Sequence, residues 1–200
     1  MGEKKLKYDF YLFDKDDTIL LDKFTTHYHG LAPGMKELLK KIPKEKKAII
    51  TDNGLPTTCF KAYGILDYFK EDLFFSGEEE VSKIIEDSKH FIPKKYLNGK
   101  IIKFTGNNLL DEGHITEYIN KPSTYLIDKF IERTKANPKK CVMIGNSWED
   151  ILAGQKAGMD TIYMNGTEKG NEKNVENLKL KPTYTIPIGD TKSLEKILFE

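Results

Sequence analysis

The sequence predicts an α/β fold, a parallel sheet with helices on both faces. Three observations carry this prediction. Apolar runs of strand length recur along the chain, stretches at helical spacing lie between several of them, and polar residues stand where the runs end. The strand-like runs are Phe10–Phe13, Ala48–Ile50, Leu73–Phe75, Cys141–Ile144, Thr161–Met164 and Tyr184–Ile186.

The helices follow from spacing and punctuation. After "APG", Met35, Leu38, Leu39 and Ile42 share one stripe, and Pro43 ends it by removing a donor. Leu126, Ile127, Phe130 and Ile131 form a second stripe. A third helix, Trp148 to Ala157, is expected to bury Ile151 and Leu152 before Gly158 stops it. Strands joined through helices pair in parallel, and such a sheet binds ligands in the crevice at the carboxyl ends of its strands. Asp14, Thr51 and Asn146 all fall at such ends.

One stretch breaks the rhythm. Residues 78–120 exceed the roughly 2 to 6 residues of an ordinary connection in an alternating fold. A helix through Val81 to Ile85 is expected there, then hairpin-like strands around "KIIKF" and "HITEYI" with "TGNN" as a turn.

The 200 residues suit a single domain over 1–200 with a small insertion at about 78–120. Basic and acidic residues number 32 and 31, so no global field points to nucleic acid as a partner. The amino-terminal lysines precede no long apolar segment, and Leu6 stands where a myristoylation signal needs Ser or Thr, so no membrane partner is expected. Cys59 and Cys141 lack CxxC spacing and read as a reduced pair in a cytoplasmic protein.

The chemistry starts in "DKDDT". Residues two apart on an extended chain point the same way, so Asp14 and Asp16 should project together into the crevice. Two such oxyanions repel unless a proton or a cation is shared, and a hard divalent cation such as Mg²⁺ suits oxygen ligands. A polar turn with Asp17 or Thr18 capping a helix is the alternative reading. In "AIITDNG", Thr51 offers a hydroxyl beside main-chain amides, which suits a phosphate oxygen, although a helix N-cap has the same look. Lys121 precedes Pro122 and a helix, where it would neutralise an anionic ligand if it is not simply a surface lysine. In "GNSWED", Asn146 can supply an oxygen to a metal, with Asp150 four residues on supporting it or binding through water.

Taken in order, DxDxT, strand-Thr, Lys-Pro and GNSxxD resemble the haloacid dehalogenase (HAD) superfamily, from about Tyr8 to Phe199 and excluding the insertion. The resemblance implies a Rossmann-like sheet and a Mg²⁺-dependent phosphatase. In it Asp14 would be the nucleophile and Asp16 the general acid and base. Thr51 and Lys121 would hold the phosphoryl group. Asp14, the Asp16 carbonyl, Asn146 and Asp150 would form the metal end. Two positions depart from the pattern. Lys15 replaces an apolar residue, with its side chain expected to point away from Asp14 and Asp16. Asn146 replaces the commoner Asp, a neutral oxygen that implies weaker Mg²⁺ binding. The presence of Asp16 favours phosphoryl transfer over dehalogenation, because a halide leaving group needs no proton.

Too little chain separates Asp14 from Thr51 for a large helical cap, so the 78–120 segment is expected to be a reduced cap of the C2 type. Within it His90, Phe91, Tyr96, Phe104, His114 and Tyr118 would either meet a substrate or pack a satellite core, and a hairpin there would offer a homodimer contact. His27 and His29 in "HYHG" read as part of a flap loop, since they lack a third metal ligand. The leading function is hydrolysis of a small phosphorylated metabolite. A phosphotransferase or mutase on the same scaffold, and a non-catalytic or macromolecule-directed protein, are the alternatives.

Overall fold

The computed structural model describes residues 5–21, 30–86, 95, 115–166 and 169–200. Within them the chain forms β1 (Phe10–Phe13), β2 (Leu20–Leu21), β3 (Gly30–Leu31), α1 (Met35–Lys41), β4 (Lys47–Thr51) and α2 (Thr57–Ala62). There follow β5 (Phe74–Ser76), α3 (Gly77–Glu86), α4 (Tyr125–Thr134), β6 (Cys141–Gly145) and α5 (Trp148–Lys156). The chain ends with β7 (Asp160–Asn165), α6 (Lys169–Asn177), β8 (Tyr184–Pro187) and α7 (Thr191–Leu198).

Six strands make one parallel sheet in the order β5-β4-β1-β6-β7-β8. All six predicted strands are present: β1 has the predicted bounds, β5 is shifted by one residue, and the other four are longer by one or two residues. Strand order reverses at β1, which pairs with β4 on one side and β6 on the other, so the ligand crevice of an open α/β sheet opens there.

The core divides along the pleat. Tyr11, Phe13, Ile49, Val142 and Ile144 face α1, α2 and α7, burying Met35, Leu38, Phe60, Leu194 and Leu198. Leu12, Ala48, Ile50, Cys141 and Met143 face the other way, onto Val81, Ile84, Leu126, Ile127 and Phe130 of α3 and α4. Alternate residues feeding opposite apolar layers is what a sheet covered on both faces requires. Lys47, only 1% exposed, enters the first layer. Its ammonium donates to the carbonyls of Leu39, at 2.5 Å, and Ile42, capping the carboxyl end of α1. Burial pulls its pKa down to about 8.

The structure corrects several expectations. Residues 115–119 of "HITEYI" are helical, and Ile115 and Ile119 are both fully buried. Glu117 between them is exposed, as a helix allows, whereas on a strand all three would share one face. In α5 the buried residues are Ile151, Ala153 and Gly154 together with Asp150, and Leu152 is half-buried. An antiparallel pair, β2 with β3, follows the Asp16 turn and had no signal in the sequence, because two-residue strands carry no periodicity.

The ends of the 78–120 segment belong to the main core, through Val81 and Ile84 of α3 and through Ile115 and Ile119, with Tyr118 packed against the same layer. Lys95 pairs with Asp128 of α4 at 2.7 Å. The expected strand "KIIKF" and turn "TGNN", with His90, Phe91, Tyr96, Phe104 and His114, lie outside the described residues, as do His27 and His29. Cys59 and Cys141 are free thiols. Among the described residues no helix is long and apolar enough to cross a membrane.

Candidate active site

The crevice at the β1 end is built from three strand termini and the start of α4. The main chain of Asp14 continues the sheet, its N–H donating to the Ile144 carbonyl at 2.8 Å. Asp14 has the parity of Leu12, so it points to the layer of α3 and α4, from which Lys121 arrives. The Lys121 ammonium donates to Asp14 Oδ1 and Asp150 Oδ1, both at 2.6 Å, and to the Ile50 carbonyl at 3.2 Å. The lysine predicted as a possible surface residue is thus the buried centre of the site, 8% exposed.

Asp150 is held from both ends. Its Oδ2 accepts the Ser147 N–H at 3.0 Å and the Ser147 hydroxyl at 2.9 Å, closing a capping box at the start of α5. The carboxylate lies close under the end of β6, where a Cβ on Gly145 would come within 2.3 Å of it. Only glycine leaves that space. With both oxygens engaged by protein groups, Asp150 stands behind the site. Asn146, 9% exposed, directs its side-chain oxygen to the Thr18 hydroxyl at 3.3 Å.

Asp16 behaves differently from Asp14. β1 ends at Phe13, and the chain turns through Asp17 at φ 54, so strand alternation no longer governs these side chains. Asp14 is buried, while the Asp16 side chain is 50% exposed at the mouth of the crevice. Its Oδ2 accepts from Asn53 Nδ2 at 2.7 Å. Lys15 does not point away from it: the ammonium lies 3.4 Å from Asp16 Oδ2 and donates to the Gly54 carbonyl at 3.1 Å.

Thr51 is buried at the end of β4, and its hydroxyl oxygen accepts the Asn53 N–H at 3.3 Å. The same loop contributes two residues that the sequence reading passed over. Asp52 Oδ1 accepts the main-chain N–H of Lys121 at 3.0 Å, fixing the segment that carries the lysine. Asn53 is tied through its carbonyl to the Ser76 hydroxyl at 2.7 Å. The only local signal was "TDNG" directly after Thr51, a set of turn residues with no indication of what they meet.

The charges are tightly interdependent. Burial would lower the Lys121 pKa, but Asp14, Asp150 and Asp52 hold it well above the ordinary lysine range. Burial pushes Asp14 upward, against the nearby Lys121 charge and with the help of Asp150. Asp52 is raised chiefly by burial, with Lys121 opposing. Three carboxylates therefore surround one buried ammonium, an excess of negative charge in a dry setting. Among the described residues no three His, Cys, Asp or Glu side chains gather as a metal site, so a cation here would rely on amide and carbonyl oxygens as well.

This sheet, with its acid at the first strand end and its lysine and Asn/Asp pair opposite, defines an open α/β protein with a charged crevice at the strand ends. Residues 118–191 match the family model described as HAD-hydrolase-like. No curated protein matches the sequence significantly. The fold is similar to 4-nitrophenylphosphatase from Thermotoga maritima, with a TM-score of 0.62 and 17% identity over 95% of this chain and 97% of that one. It is also similar to p-nitrophenyl phosphatase from Archaeoglobus fulgidus, with a TM-score of 0.61 and 16% identity over 94% and 99%. NagD from E. coli K-12 aligns with a TM-score of 0.60 and 14% identity over 92% and 98%. The likeness to these three structures, at 14–17% identity, is one of fold.

Proposed function

We propose that this chain is a Mg²⁺-dependent phosphomonoester hydrolase that works through an aspartyl-phosphate on a small phosphorylated metabolite. The observation that carries the reading is the Lys121 ammonium bridging Asp14 and Asp150 at the strand ends. It sets a positive charge beside the buried Asp14 carboxylate, as attack by an anion on a phosphate ester requires. The phosphatase names of the structural neighbours point the same way.

In the first step an Asp14 oxygen bonds to phosphorus while the bond to the leaving oxygen breaks, and Asp16 gives that oxygen its proton. In the second, Asp16 takes a proton from water, the water oxygen displaces Asp14 from phosphorus, and the Asp14 carboxylate is restored. Thr51 and Lys121 hold the phosphoryl oxygens throughout. The oxygen-rich, negatively charged donor set fits a hard cation. The Asp14 carboxylate, the Asp16 carbonyl and the Asn146 amide oxygen would hold Mg²⁺, with Asp150 behind them. When bound, Mg²⁺ supplies charge neutralisation at the phosphoryl group. The 78–120 segment, at the second insertion point, is read as a reduced cap that selects the substrate.

The test is hydrolysis of p-nitrophenyl phosphate with and without Mg²⁺. Turnover should need the metal and vanish in Asp14→Asn. Undiminished turnover in that variant would remove Asp14 as the nucleophile.

A further inference from the structure

We infer that Lys15 and Asn53 are positioning residues that clamp one oxygen of the Asp16 carboxyl, leaving the other, Oδ1, to carry the proton to the leaving group. The inference rests on the hydrolase reading and adds to it a device made from this chain's own residues.

Both donors meet the same atom. Asn53 Nδ2 lies 2.7 Å from Asp16 Oδ2, and Lys15 Nζ lies 3.4 Å from it. Among the described residues no donor meets Oδ1. A carboxyl group with donors on one oxygen keeps its proton on the other, because the oxygen that accepts hydrogen bonds is the carbonyl-like one. The two donors are themselves fixed. Asn53 gives its main-chain N–H to Thr51 Oγ1 at 3.3 Å and accepts from Ser76 Oγ at 2.7 Å. The Lys15 side chain is only 12% exposed, and its ammonium also donates to the Gly54 carbonyl at 3.1 Å.

The clamp therefore joins the turn after β1 to the loop after β4. Asp16 needs such help. It sits half-exposed on a turn, with no strand to orient it, yet its proton must arrive at one oxygen of the substrate. Lys15, a charged residue where the resemblance calls for an apolar one, has a role in this arrangement.

A positioned acid matters in proportion to how strongly the departing oxygen needs a proton. p-Nitrophenolate leaves as a weak base, whereas the alkoxide from benzyl phosphate must be protonated as it departs. The two esters are similar in shape, so general damage to the site lowers kcat/KM for both alike. The experiment compares kcat/KM for both esters, with Mg²⁺, in the wild type, Asn53→Ala, Lys15→Met and Asp14→Asn. Melting curves establish that each variant is folded.

In Asn53→Ala the ratio of benzyl to p-nitrophenyl kcat/KM should fall about tenfold, part of the 10²- to 10⁴-fold that a positioned general acid contributes. Lys15→Met should shift the ratio in the same direction, since any change in phosphate binding cancels between the esters. A ratio within twofold of wild type in both variants overturns the clamp while leaving the hydrolase reading intact. Absence of turnover in the wild type, or full turnover in Asp14→Asn, overturns the underlying reading and the clamp with it.

Discussion

Replacing Lys121 with Met takes one ammonium from between two carboxylates and keeps most of the side-chain volume. Lys121 lies 2.6 Å from both Asp14 and Asp150, and the three side chains are 4%, 9% and 1% exposed. Solvent does not screen such a cluster, so the about 0–1 kcal/mol of a surface pair does not apply. Removing one partner of a buried pair costs about 3–5 kcal/mol, because the other charge stays buried without compensation. Here two carboxylates are left behind, which places Lys121→Met at about 4–5 kcal/mol, or roughly 10³-fold in the folding equilibrium.

The loss should also depend on pH. Burial raises the Asp14 carboxyl and Lys121 opposes that rise, so the variant raises it further. A carboxyl held above its unfolded value, about 4, binds its proton more tightly in the folded state. Its contribution to stability is present below that value and is lost as pH rises through the folded pKa. Wild type and variant differ in Asp14 protonation only above the wild-type folded value of about 8, so the cost of Lys121→Met should be smaller near pH 7 and grow toward pH 9. Urea unfolding in the presence of a chelator, read as midpoint and slope at both pH values, measures it. Adding Asp150→Asn should recover about 1–2 kcal/mol at the higher pH, because it removes one of the stranded charges. A cost under about 1 kcal/mol near pH 9, or an equal cost at both pH values, would refute the account of Lys121 as the counter-charge of the site.

Two further outcomes are expected. Asp16→Asn should slow benzyl phosphate turnover by about 10²- to 10⁴-fold without lowering the melting temperature, since Asp16 is exposed; a twofold loss would move the acid and base role elsewhere. Lys47→Met tests the buried cap of α1. With the Lys47 pKa pulled down to about 8 by burial, the folded state binds fewer protons than the unfolded chain between there and the ordinary lysine value. Wild-type stability from this group is therefore present above the ordinary value and lost as pH falls through about 8, and the unfolding free energy should lose that slope in Lys47→Met.

The parts of the fold legible in the sequence are those with a repeating local signal. Tyr11, Leu12 and Phe13 alternate between two core layers, and Met35, Leu38 and Leu39 return to one face of α1. Hydrophobic burial enforces both patterns, so they can be read from neighbours alone. The helix at 115–119 was misread because a short apolar run offers too few positions to separate the two periods. Lys121 illustrates the same limit from the side of charge. Its neighbours in sequence, Asn120 and Pro122, give no hint that it lies among three carboxylates.

The sequence by itself determined the α/β class, the strand ends that carry Asp14, Thr51 and Asn146, and the order of polar groups resembling a phosphoryl-transfer site. The strands are local, and their ends follow wherever an apolar run gives way to polar side chains. Only the tertiary structure decided which of the acids is buried, that Asp150 is engaged by Lys121 and Ser147, and that Lys15 and Asn53 meet Asp16. Those facts depend on parallel pairing of β1 with both β4 and β6, which brings together residues as far apart as Asp14, Lys121 and Asp150. Over such separations, side-chain contacts are set by sheet order and register, and no local pattern encodes them.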